Sequence, residues 1–122
     1  MDKPIALVVE DEYDISLIFA RALQSAGYET EIVRSGDTAL TWLRAGTPNL
    51  VILDLQMPDQ SGTDFFRRMK HHESLRDTPI IVVSGLAGRH LAVSQPFAVF
   101  DKPIDPDEFG AAVDRALGEN GA

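Results

Sequence analysis

The sequence predicts an α/β fold: a parallel sheet with helices on both faces. Short continuous apolar runs recur along the chain, at Leu7–Val9, Leu50–Leu53, Ile80–Val83 and Phe97–Phe100. Strands buried on both faces read as such runs. Amphipathic segments separate them, so strand and helix alternate about five times, the order that crossover helices on a parallel sheet require. Each run also leads into polar residues: Glu10 and Asp11, Asp54, Ser84, and Asp101 followed by Lys102. Open α/β sheets place their sites outside the strands' carboxyl ends, so the carboxylates of Glu10, Asp11 and Asp54, the Ser84 hydroxyl and the Lys102 ammonium are expected at one edge.

The elements follow in order. After the first strand, Ile15, Ile18, Phe19, Ala22, Leu23 and Ala26 fall on one helical face that Gly27 closes. Tyr28 to Val33 alternates as an edge strand does. Ser35 caps a second helix carrying Ala39, Leu40 and Leu43, which stops at Gly46 before Pro48. Gly62, Phe65, Phe66 and Met69 mark a third helix, with Ser61 at its start. Between Ser84 and Phe97, Gly85, Gly88 and Pro96 leave room for only a short helix around Leu91, Ala92 and Val93. Asp105, Pro106 and Glu108 start the last helix as cap, first position and third position. Its apolar face is Phe109, Ala112, Val113, Ala116 and Leu117.

Bulk properties narrow the function. A chain of 122 residues suits one domain spanning 1–122. The formal charge of -8 argues against direct nucleic acid or anionic membrane binding, which use basic surface. With no cysteine there is no disulfide and no thiolate metal site. No apolar run approaches the roughly 20 residues that span a bilayer, and no signal peptide is visible, so a cytoplasmic location is expected.

The acidic residues carry the chemistry. Two like charges 4 Å apart repel by roughly 1 kcal/mol in water and 4 kcal/mol at an effective dielectric of 20. A hard cation relieves that, and magnesium is bound by one or two carboxylates with waters and phosphate oxygens. Asp54 could then act as a nucleophile towards a phosphoryl group, with Lys102 supplying positive charge and Ser84 a hydrogen bond.

These pieces resemble the receiver domain of bacterial response regulators along essentially the whole chain. The matching residues are Val8-Val9-Glu10-Asp11-Glu12, Asp54-Leu55-Gln56-Met57-Pro58, Gly62, Ser84-Gly85 and Lys102-Pro103, in order. The resemblance implies a five-stranded doubly wound, flavodoxin-like sheet in order 2-1-3-4-5. It implies that Asp54 is the phosphoacceptor and that Glu10, Asp11, Asp54 and the Gln56 carbonyl hold Mg2+. Ser84 and Lys102 would contact the phosphoryl group, and Lys102-Pro103 would be a cis peptide. The implied partner is a histidine kinase or histidine phosphotransfer protein, with a protein target downstream. The domain would catalyse its own phosphorylation and dephosphorylation without being an enzyme on external substrates.

Two features depart from the family pattern. Val99 stands where the switch aromatic is usual, and Phe100 beside it points to the opposite face of its strand. Lys102 follows Ser84 by only 18 residues, about one helical turn short. A short or irregular fourth helix and an atypical output face are therefore expected, with the phosphorylation chemistry intact.

Other readings fit the residues less well. An aspartyl phosphatase of the haloacid-dehalogenase type would want an acid two residues after Asp54, where Gln56 stands. A flavodoxin-like cofactor binder would want small or hydroxyl residues where Glu10, Asp11 and Glu12 would repel phosphate. A receiver-like module acting by protein contacts without phosphorylation would not need every chemical residue kept. His71, His72, Arg67, Arg68 and Lys70 read as solvated surface, and Trp42 as partly buried packing.

Overall fold

The structure is a computed structural model that describes residues 3–55, 61–71, 77–84, 98–101 and 105–121. The chain runs β1 (Ile5–Val9), α1 (Tyr13–Ser25), β2 (Glu29–Val33), α2 (Gly36–Leu43), β3 (Leu50–Asp54), α3 (Ser61–His71), β4 (Ile80–Ser84), β5 (Ala98–Asp101) and α4 (Pro106–Gly121). The strands form one parallel sheet in order β2-β1-β3-β4-β5, as expected. The helix expected between β4 and β5, at 85–97, lies outside the described residues. No helix among the described residues is long and apolar enough to cross a membrane.

Each central strand sends alternate side chains into two cores. Ala6, Val8, Leu50, Ile52, Ile81 and Val83 pack on one face against Phe19 and Leu23 of α1 and Phe109, Ala112 and Val113 of α4. Leu7, Val9, Val51, Leu53, Ile80 and Val82 pack on the other against Ala39 of α2 and Phe65 and Met69 of α3. Both faces are covered, which is why these strands carry unbroken apolar runs rather than alternation. β2, at the edge, alternates instead: Glu29 and Glu31 are exposed, Thr30 and Ile32 half-buried.

The ends of the helices follow local chemistry. The Ser35 hydroxyl accepts the Thr38 N–H at 3.1 Å and caps α2, which ends at Leu43, short of Gly46. One carboxylate oxygen of Asp105 accepts the N–H groups of Asp107 and Glu108 at 2.8 and 3.3 Å and caps α4. Gly27, at φ +100°, follows α1 in the left-handed region. Its N–H donates to the Gln24 carbonyl and that of Tyr28 to the Leu23 carbonyl, at 3.1 and 3.0 Å, the paired bonds of a Schellman ending. Tyr28 is thereby turned into the core ahead of β2 rather than starting it.

One expectation about α1 changes. Its buried residues are Ser16, Phe19, Ala20 and Leu23, while Ile18 is 51% exposed. At about 100° per residue, Ile18 lies a quarter-turn from Phe19, and the buried arc runs the other way, through Ser16 and Ala20.

Candidate functional site

Glu10 is the first residue after β1, and Asp54 is the last of β3. The two strands are neighbours in register, with Val9 opposite Leu53. Glu10 and Asp54 continue the alternation of Val8 and Ile52, so both fall on the face that α1 and α4 cover. Asp11 adds a third carboxylate from the turn into α1. One oxygen of each of the three lies within 4.8 Å of the others. Glu10 and Asp54 are buried, at 0% and 1% exposure, while Asp11 is half-buried.

The loop that carries Glu10 is fixed by its neighbours. The Glu10 N–H donates to the Val33 carbonyl at 3.0 Å, which extends the β1–β2 pairing by one residue. Arg34, the next residue along, donates from Nη1 to the Glu10 carbonyl at 3.2 Å and to the Ser16 hydroxyl at 2.9 Å. Ser16 in turn donates to the Tyr13 carbonyl at 2.6 Å, and the Arg34 guanidinium sits 5.5 Å from the centre of the Tyr13 ring. The Glu12 N–H donates to Glu10 Oε2 at 3.1 Å and aims that carboxylate. At the start of α1 the helix dipole favours negative charge, here from Asp14.

Three carboxylates so close suit a hard cation. Their donors are all oxygen, and at this separation each pair repels by roughly 1–4 kcal/mol according to the local dielectric. A divalent ion offsets that repulsion, and oxygen-only sets suit magnesium, calcium or manganese. The donor chemistry therefore fits Mg2+.

The other expected site residues divide. Ser84 ends β4 beside β3, with Val83 opposite Asp54, so its backbone lies at the same sheet edge. Val99 lies in β5, opposite Val82. Gln56, Lys102 and Pro103 lie outside the described residues. Phe100 packs its ring edge-on against Phe109, 5.8 Å between centroids, within the α1/α4 core. Arg34, Ser16 and Tyr13 were not legible as site residues. The available signal was topological: in a 2-1-3 sheet the residue after β2 lies beside the residue after β1. Elsewhere, a groove of about 490 Å³ runs between α1 and α4, lined by Arg21, Ala22, Phe109 and Asp114 among others, and shares no residue with the acidic cluster.

Known proteins resemble this one over nearly its whole length. The family model described as response regulator receiver domain matches residues 6–114. Protein Rrf1 of Nitratidesulfovibrio vulgaris is 33% identical over 91% of this chain and 80% of its own length. The polar-differentiation response regulator DivK of Brucella ovis is 32% identical, covering 98% of this chain and 99% of its own. Among solved structures, the signal receiver domain of a signal transduction histidine kinase from Syntrophus aciditrophicus matches with a TM-score of 0.85 and 29% identity, over 95% of this chain and 91% of that one. Sheet order, acidic edge and sequence match agree, and the chain belongs to the response regulator receiver domain family.

Proposed function

We propose that this receiver domain is a Mg2+-dependent phosphoacceptor, phosphorylated on Asp54 by a histidine kinase or histidine phosphotransfer protein in the cytoplasm. The observation that carries the reading is the approach of Glu10, Asp11 and Asp54 to within 4.8 Å, with Asp54 the one at the end of a central strand. In this reading one domain, 1–122, performs the chemistry and passes the signal to a protein target.

Asp54, Glu10 and Asp11 would hold the cation with the Gln56 carbonyl as a further ligand. When bound, Mg2+ supplies positive charge to the phosphoryl oxygens and offsets the repulsion between them and the carboxylates. An Asp54 oxygen attacks phosphorus opposite the donor's imidazole nitrogen. The P–O bond forms as the P–N bond breaks, and the histidine leaves after gaining a proton. By the family resemblance Ser84 and Lys102 would contact the transferred group, and Lys102-Pro103 would be a cis peptide. Attack of water on the same phosphorus releases inorganic phosphate and restores the Asp54 carboxylate, so turnover is confined to the domain itself. The Phe100 ring is committed to the core beside Phe109, which supports an output that does not use the family's aromatic switch at the place Val99 fills.

The test is incubation with Mg2+ and phosphoramidate, read by intact mass. The wild type should gain one phosphoryl group, acid-stable and base-labile, and Asp54→Asn should gain none. A wild type left unmodified by phosphoramidate and by a panel of phosphorylated kinases alike would overturn the proposal.

A further inference from the structure

Arg34 is exposed and stands outside the acidic cluster, yet its guanidinium is tied to Glu10 after β1 and to Tyr13 and Ser16 in the first turn of α1. Nη1 donates to the Glu10 carbonyl and the Ser16 hydroxyl, and the guanidinium lies over the Tyr13 ring. The residue before it, Val33, accepts the Glu10 N–H. Both peptide groups of Glu10 are therefore held from the end of β2, one through Val33 and one through Arg34. Ser16 is fully buried and passes the restraint into the first turn of α1 through its bond to the Tyr13 carbonyl. Asp11 sits between the two anchored points, Glu10 and that first turn.

We propose that Arg34 is a positioning residue that sets the affinity of the acidic cluster for divalent cations by fixing the Glu10 and Asp11 backbone. The proposal deepens the phosphoacceptor reading and rests on its cation site. Arg34 acts in two opposed ways. Its positive charge lowers the local demand for a cation, which weakens binding. Its hydrogen bonds hold two carboxylates in the arrangement a cation needs, which strengthens it. Because Arg34 is an exposed residue, water and salt screen its charge, whereas the geometric restraint is not screened. The restraint therefore wins. Lysine replaces it poorly, since its ammonium sits on a differently shaped stem and has no planar face to lay on the Tyr13 ring while donating to both acceptors.

The experiment is titration of the full chain with Mg2+ alone, followed by backbone amide NMR shifts of Asp11 and Glu12, for wild type, Arg34→Lys and Arg34→Ala. Melting in EDTA and exchange of the Glu12 amide, which reports its bond to Glu10 Oε2, are measured beside it. Both variants should bind Mg2+ about tenfold more weakly, the low end of the loss when a side chain that orients a metal ligand is removed. Glu12 amide exchange should be faster in both. Affinities within twofold of wild type, even with a lowered melting temperature, would show a merely structural part and overturn the proposal. So would an Arg34→Lys matching wild type beside an Arg34→Ala that binds more tightly, the signature of charge alone. A wild type that binds no Mg2+ would fail the phosphoacceptor reading itself, and this proposal with it. If Arg34→Ala does not fold, Arg34→Lys and its Glu12 exchange decide the matter.

Discussion

Tyr28 shows how one side chain can pull against its own surroundings. Its ring packs in the α1/α4 core, but its buried hydroxyl has no hydrogen-bond partner among the described residues. Burial, and then the negative charge of Asp114, push the phenol from its ordinary 10 up to about 12. The folded state thus holds the proton more tightly than the unfolded chain does. This contribution to stability is complete below pH 10 and is lost as the pH rises towards about 12. Tyr28→Phe should leave stability at pH 7 unchanged or raise it by about 1 kcal/mol, since a buried unsatisfied hydroxyl is removed. Urea titrations at pH 7 and pH 11 measure this, and the variant should lose less stability than wild type at the higher pH. At this scale the acidic residues were legible because chemistry shows in residue type: Glu10, Asp11 and Asp54 each follow an apolar run. Arg34 was not, because a lone arginine in a turn acquires its meaning only from what the fold brings beside it.

The helices were read from their ends more surely than from their faces. Ser35 and Asp105 cap the helices they were expected to cap, because a cap is local chemistry between residues two or three apart. The face of α1 holds at Ile15, Phe19, Ala22, Leu23 and Ala26 but differs at its edges: Ile18 is out and Ser16 is in, since Arg34 and the Tyr13 carbonyl satisfy the serine hydroxyl. Hydrophobicity alone does not carry that information. The end of α1 gives a sharper test. Gly27 holds φ +100° with nothing within 4 Å of where a Cβ would stand, so the cost of a side chain there is conformational rather than steric. Gly27→Ala should destabilise the domain by about 1–2 kcal/mol, the penalty for a left-handed L-residue. Thermal or urea unfolding checks it, and a loss below a few tenths would mean that the turn relaxes.

For the molecule as a whole, the strands were legible because each buried one reads as an apolar run, while their order came from the family resemblance. The order also explains why the site exists at all: β1 and β3 are neighbours only because the chain crosses over, and their carboxyl ends then bring acids together from 43 residues apart. A cation bound by the folded edge and not by the unfolded chain stabilises the fold, by about 2.7 kcal/mol at a hundredfold excess over its dissociation constant. Mg2+ should therefore raise the melting temperature of the wild type. Asp54→Asn should lose most of that rise and, by relieving like-charge repulsion, melt no lower than wild type in EDTA. Calorimetry with and without Mg2+ tests both, and an equal Mg2+ response in the variant would contradict the cation site.

The two glutamates of β2 have a consequence between molecules. Among the described residues β2 ends the sheet, with no strand on its outer side, and open strands of this kind invite a second chain to add on. Glu29 and Glu31 are exposed on one face of that strand. A copy docking there in register would set carboxylate against carboxylate, and the chain's overall charge of -8 would add to the repulsion. The residues that give β2 its uneven pattern therefore discourage the sheet from growing into an aggregate.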